Sequence, residues 1–174
     1  MVITQLKKLK KTPMFNHALA NDLNRVIEQS DIKKVIPHRE PFLLIDEIVH
    51  LNLEQRILQT TRTIAAEDPV FKGHFPNNPI YPGVLQQEIM FQSALALLHF
   101  IVNQTTHIDS TVTPCDAVGT RLYDMYNIEA VRPKDQLTIR CHIEQFDSLI
   151  VTAIGQISVG DKIVSTGKGE MYVG

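Results

Sequence analysis

The chain has little from which to build a covalent or metal scaffold. Its 174 residues include only two cysteines, Cys115 and Cys141, far apart and outside any C-x-x-C pair. That argues against a metal-ligand or redox motif and fits two free thiols in a reducing compartment. Neither sign of charge dominates: 17 Lys and Arg against 19 Asp and Glu leave a formal charge of -2. Nothing in that balance concentrates the chain on nucleic acid or an anionic membrane. Long hydrophobic runs are missing too. The longest, Ala94 to Val102, is broken by His99 and falls far short of the roughly eighteen residues a membrane span needs. There is no repeat, no low-complexity tract and no G-x-S-x-G nucleophile pattern, and Gly167-Lys168-Gly169 lacks the spacing and following helix of a phosphate loop. His17, His50, His99, His107 and His142 are scattered without metal-ligand spacing. With 44% hydrophobic and 21% charged residues, what remains is a soluble chain that folds as one domain by burial alone.

The patterning divides the chain in two. The opening MVITQLKKLKK carries its charges after a very short apolar run, the reverse of a secretory signal, and reads as a cytoplasmic leader with a solvated basic stretch at Lys7, Lys8, Lys10 and Lys11. Leu19, Leu23, Val26 and Ile27 fall on one helical face, which predicts an amphipathic helix with Asn16 as N-cap and Ser30-Asp31 as a break into a second short turn. Residues 1–30 are therefore expected to be a partly helical N-terminal extension and residues 31–174 the main domain. Leu43 to Leu51 and Arg56 to Ala65 read as two paired strands. Between Glu67 and Gly83 lie four of the nine prolines, Pro69, Pro76, Pro79 and Pro82, a density that demands a fixed, irregular loop. Val84 to Val102 has no Gly or Pro and is almost wholly apolar, so it predicts a helix buried nearly all round. Cys115 to Ile128, Gln136 to Phe146, Leu149 to Ser158 and Lys162 to Val173 read as strands joined by short antiparallel turns. The sum is an α+β architecture, an antiparallel curved sheet wrapped around one long central helix, which is the hotdog fold.

One stretch concentrates chemistry. The proline-stiffened loop presents a single imidazole, His74, and the helix it feeds presents a single carboxylate, Glu88, among apolar neighbours. A histidine titrating near neutrality can remove a proton, and a carboxyl whose pKa is raised by an apolar pocket can donate one. Gln92 lies four residues beyond Glu88, about 6 Å along the axis, on the same face, where it is placed to orient the carboxyl. Gly83 stands at the helix start, where free N–H groups and the positive end of the helix dipole meet and no side chain blocks a carbonyl. The same residues admit a structural reading, with His74 as a hydrogen-bonding loop residue and Glu88 reaching to the surface or to an arginine.

The run from Gly73 to Leu85, G-H-F-P-x-x-P-I-x-P-G-V-L, followed by Glu88 and Gln92, closely resembles the active-site segment of the β-hydroxyacyl-acyl carrier protein dehydratases of the FabZ type. Ile36-Pro37-His38-Arg39, continuing to Asp46, resembles the same family's approach to its first strand. The likeness is good from about Ile32 to Leu98, weaker to the end, and absent over the first thirty residues. It implies His74 and Glu88 as catalytic residues, Gly83 as the N–H that binds the thioester carbonyl, and Gln92 as the support of the carboxylate, with Phe91 and Ile80 beside the substrate. No metal or redox cofactor is implied, because the substrate rides on the phosphopantetheine of acyl carrier protein or on coenzyme A. Also implied is a homodimer or trimer of dimers whose sites draw His74 and Glu88 from different subunits.

Several positions depart from the family. Tyr126 to Val131 stands where relatives carry a basic cluster that docks the carrier, with Arg121, Arg132, Lys134 and Lys72 as candidate replacements. Phe91 is larger than usual and is expected to shorten the acyl pocket. His38 reads as a structural residue near the pocket or the dimer. Two other functions share the fold: an acyl thioesterase, against which the Gly73-His74-Phe75-Pro76 loop argues, and a catalytically silent acyl-binding or partner subunit, against which the presence of both His74 and Glu88 argues.

Overall fold

A computed structural model describes every residue of the chain except His17 and Ser110, so the reading of His17 lies outside the described residues. Among the described residues there are three α-helices, α1 (Leu6–Leu9), α2 (Gln29–Val35) and α3 (Gly83–Asn103). Seven strands accompany them: β1 (Ile27–Glu28), β2 (Glu47–Asn52), β3 (Ile57–Thr63), β4 (Ala117–Asn127), β5 (Gln136–Phe146), β6 (Ile150–Val159) and β7 (Lys162–Val173). They form one antiparallel sheet in the order β1-β2-β3-β5-β6-β7-β4, curled around α3. This is the expected hotdog arrangement.

The long helix forms because nothing in 84–103 interrupts it, and it stops at Gln104, whose left-handed backbone (φ 49°) turns its N–H back to Phe100 and Ile101 carbonyls. Ile89, Ala94, Leu97, Leu98 and Phe100 are buried in the main core with Leu58, Ile139, Ile143 and Val151 of the sheet. Polar groups on the helix are used as pins: Ser93 Oγ lies 2.7 Å from Thr60 Oγ1 on β3 and donates to Ile89 O on its own helix.

Glycines set how closely α3 meets the sheet. A Cβ on Gly155 would come within 2.6 Å of Met90, and one on Gly169 within 2.5 Å of Phe91 Cζ. The two bulky helix side chains therefore sit on bare backbone, and the crease between them and β4, β6 and β7 is nearly filled, with a volume of about 20 Å³.

Two expectations are corrected. Among the described residues of 16–27 no helix forms. Asn16 Oδ1 accepts from Ala18 N in a local turn, and the segment then runs along the end of β2, with Asn21 Oδ1 accepting from Leu51 N and Asp22 Oδ2 from Leu53 N. Asn and Asp side chains that can bond backbone directly favour this over a helix. The first long strand also begins later than expected, at Glu47, because Leu44 N bonds the side chain of Gln92 on α3 and not a neighbouring strand.

The N-terminal segment covers the outer face of the sheet. Leu9, Met14 and Phe15 form a second buried cluster with Ile57 and Ile154. Gln156 on β6 fastens it, accepting from Met14 N and donating to the carbonyls of Leu9 and Thr12. With α3 on one side and this strap on the other, β6 is buried along nearly its whole length. By contrast β4, at the sheet edge, is exposed over most of its 11 residues, Val118, Leu122 and Tyr123 included.

Candidate active site

The proline-rich loop is fixed by a chain of hydrogen bonds. Asp68 caps a 3-10 turn at Pro69–Lys72 by accepting from Val70 N, and His74 N then donates to Val70 O. Farther on, Tyr81 N donates to Val131 O, and Arg132 reaches across to Asn78 Oδ1. Within this frame His74 Nδ1 lies 2.9 Å from Ile80 O. A carbonyl only accepts, so Nδ1 carries a proton, and in the neutral imidazole it is Nε2 that keeps the lone pair a general base requires. Phe75 stacks on the imidazole with ring centroids 4.1 Å apart.

Pro82 closes the loop and α3 begins. Leu85 and Gln86 N–H both donate to Pro82 O, while the N–H of Gly83 precedes the first helical bond. A Cβ on Gly83 would lie 2.3 Å from Asn127 Nδ2, so the amide of β4's last residue rests directly on the bare glycine. His74, Ile80, Gly83, Gln86 and Asn127 line one open cavity of about 250 Å³.

Glu88 lies elsewhere. Five residues beyond Gly83 on α3, it faces a second cavity of about 500 Å³, lined also by His38, Phe42, Phe91, Gln92 and residues 117–122 of β4. Gln92 is fully buried and makes three side-chain hydrogen bonds: its Nε2 donates to Glu88 Oε1 at 3.0 Å and to Phe42 O at 2.8 Å, and its Oε1 accepts from Leu44 N. His38 Nε2 is 3.3 Å from the same Glu88 oxygen. Burial pushes the Glu88 carboxyl up, but the His38 contact and the Gln92 amide outweigh it and leave the group below its ordinary value. The expectation of a raised carboxyl pKa is therefore corrected.

The sequence-derived residues thus fall into two groups within one chain. Glu88 and Gln92 meet as spacing predicted, and Phe91 joins them in the second cavity. His74, Gly83 and Ile80 meet in the first, Ile80 through its carbonyl. His74 and Glu88 line different cavities. The imidazole beside Glu88 is that of His38, which reads in sequence as structural. Its Pro-His-Arg setting was visible, but the fifty residues separating it from Glu88 follow no periodicity, so only the fold joins them. Asn127 was likewise unmarked by any motif. Among the described residues no group of His, Cys, Asp and Glu side chains is gathered to hold a metal ion.

The family model for the FabA-like domain matches residues 36–168. The chain is 34% identical over 143 residues to the 3-hydroxyacyl-[acyl-carrier-protein] dehydratase FabZ of Thermoanaerobacter pseudethanolicus, a match covering 82% of this chain and 94% of that protein. To the protein of the same name from Variovorax paradoxus it is 36% identical over 132 residues, 76% of this chain and 84% of that one. Among solved structures, the dehydratase heterocomplex ApeI:P from Xenorhabdus doucetiae superposes with a TM-score of 0.60 at 18% identity, covering 82% of this chain and 90% of that chain. A hypothetical thioesterase with coenzyme A from Streptococcus pneumoniae superposes at 0.55 and 12% identity, covering 83% and 92%. At these identities the two structures speak to the fold.

Proposed function

Because the chain belongs to the FabA-like domain family, we propose that it dehydrates β-hydroxyacyl thioesters of acyl carrier protein to α,β-unsaturated thioesters in fatty acid or related biosynthesis, with coenzyme A thioesters open to the same chemistry. The observation that carries this reading is the free Nε2 of His74 in one cavity with the N–H of Gly83. His74 Nε2 takes the proton from the α-carbon while charge develops on the thioester oxygen. Gly83 N–H and the positive end of α3 face that oxygen and stabilise it. The resulting imidazolium returns its proton to the β-hydroxyl as the C–O bond breaks, the C=C bond forms and water leaves. Glu88, held ionised at neutral pH, accepts a hydrogen bond from that hydroxyl and orients it. These residues supply every step, and the reading calls for no metal or redox cofactor.

The second copy enters through geometry. His74 and Glu88 occupy separate cavities in one chain, and β4 presents an exposed 11-residue edge flanking both, through Asn127 in one and residues 117–122 in the other. A long unpaired edge with apolar side chains is a template for another strand. A homodimer, alone or as a trimer of dimers, that pairs β4 with its copy brings the His74 of one subunit toward the Glu88 of its partner. Cys115 and Cys141 are free, which suits a cytoplasmic setting, and no described helix is long and apolar enough to cross a membrane.

The test is turnover of β-hydroxyacyl and enoyl thioesters on both carriers by the wild type, His74→Ala and Glu88→Ala. Each variant is expected to lose about 10²- to 10⁴-fold. Unchanged turnover in either overturns the assignment, and thiol release in place of dehydration identifies a thioesterase.

A further inference from the structure

We propose that His38 is a positioning residue of this site: its imidazole, with the amide of Gln92, clamps the Glu88 carboxyl in the orientation that receives the substrate hydroxyl. The inference rests on the function proposed above. Its basis is convergence on one atom. His38 Nε2 at 3.3 Å and Gln92 Nε2 at 3.0 Å both address Glu88 Oε1, from a loop and from the helix, which leaves Oε2 for a ligand. Both sides of the clamp are themselves held. Gln92 is tied to Phe42 O and Leu44 N. His38 is braced by Arg39, whose guanidinium turns back onto the carbonyls of Ile36 and His38, and its ring packs near Phe42 with centroids 6.2 Å apart. The segment holding His38 and the segment holding Gln92's partners are one continuous stretch, 36–44, so a single loop fixes the carboxyl from two directions.

The clamp has an electrostatic consequence. Glu88 is only about a quarter exposed, and burial alone pushes its carboxyl toward the neutral form. His38 and Gln92 reverse that and keep it ionised. The remaining charged group lining the cavity among the described residues is Arg121 on β4, whose guanidinium lies 4.6 Å from the centre of the Tyr123 ring. Removing His38 leaves burial opposed by one amide. The Glu88 pKa then rises, and the carboxylate is lost at a higher pH than in the wild type. A residue that only filled space would leave that titration where it was.

The decisive experiment compares wild type, His38→Ala and His38→Gln in two readouts. The first is steady-state kinetics on a β-hydroxyacyl thioester: His38→Ala is expected to lose about 10- to 100-fold in kcat with little change in KM. His38→Gln, which restores an N–H donor, recovers part of that loss. The second is a 13C titration of side-chain carboxyls in glutamate-labelled protein, with Glu88 assigned through Glu88→Gln. It requires no turnover, so it remains decisive even where the proposed reaction fails. An upward shift of the Glu88 titration in His38→Ala supports the clamp. An unmoved titration, or an unchanged kcat in His38→Ala, overturns it.

Discussion

Gly83 and Asn127 illustrate how much one missing side chain does. The glycine is the first residue of α3, and the Asn127 amide occupies the place its Cβ would take, 2.3 Å from Nδ2. Asn127 is exposed and ends in a short movable amide, so the fold can absorb a methyl group by swinging it away. The site cannot, because the swung amide and the methyl both crowd the N–H that is proposed to face the thioester oxygen. Gly83→Ala is therefore expected to keep its unfolding midpoint close to that of the wild type while losing about 10²-fold in kcat, in the range of losing one oxyanion donor. Thermal unfolding alongside steady-state kinetics checks the two halves separately. At this scale the sequence was partly legible. Gln92 was found from helical spacing alone, because positions four apart share a face in any helix. The ionisation of Glu88 was not, since its environment is made by His38 and by backbone folded in from residues 36–44.

Elements were read well where the sequence punctuates itself. β5 and β7 begin and end as expected, because turn residues flank them, and α3 extends one residue beyond expectation at each end. The N-terminal strap was misread, for it depends on partners elsewhere. Its apolar residues bury against the outer face of β3 and β6, and Gln156 supplies three hydrogen bonds to its backbone. Gln156→Leu keeps the volume but strips those bonds, leaving the buried N–H of Met14 unpaired. The expected cost is about 1–3 kcal/mol of stability. Denaturant unfolding measures it, and faster amide exchange confined first to residues 2–16 identifies the strap as the part that loosens. The cavities that hold His74 and Glu88 are lined by α3, on the other side of the sheet from this strap, so kcat of the folded variant is expected to stay near that of the wild type.

The whole molecule poses the question that a single chain leaves open. His74 and Glu88 line separate cavities toward opposite ends of the same edge strand. If each site takes one residue from each of two subunits, an inactive His74→Ala chain and an inactive Glu88→Ala chain complement one another. In a mixed dimer one site receives both altered residues and the other receives neither. Equal mixing through denaturation and refolding then returns about a quarter of wild-type activity, since half the dimers are mixed and each has one intact site of two. Activity that stays at the level of the parents places both residues of a site on one chain.

What the sequence determined by itself was local and periodic: an apolar helix without breakers, strands bounded by turns, a loop stiffened by prolines, and a spacing of four that joins Glu88 to Gln92. From these follow the hotdog fold and the residues of the dehydratase motif. Tertiary structure decided what lies beside what. It set His38 against Glu88 across fifty residues, laid Asn127 on Gly83, bound the N-terminal strap to the back of the sheet, and kept His74 apart from Glu88. The physical reason is the same in each case. Backbone preference and side-chain period act over a few residues, whereas burial and charge act on whatever the fold brings within a few ångströms.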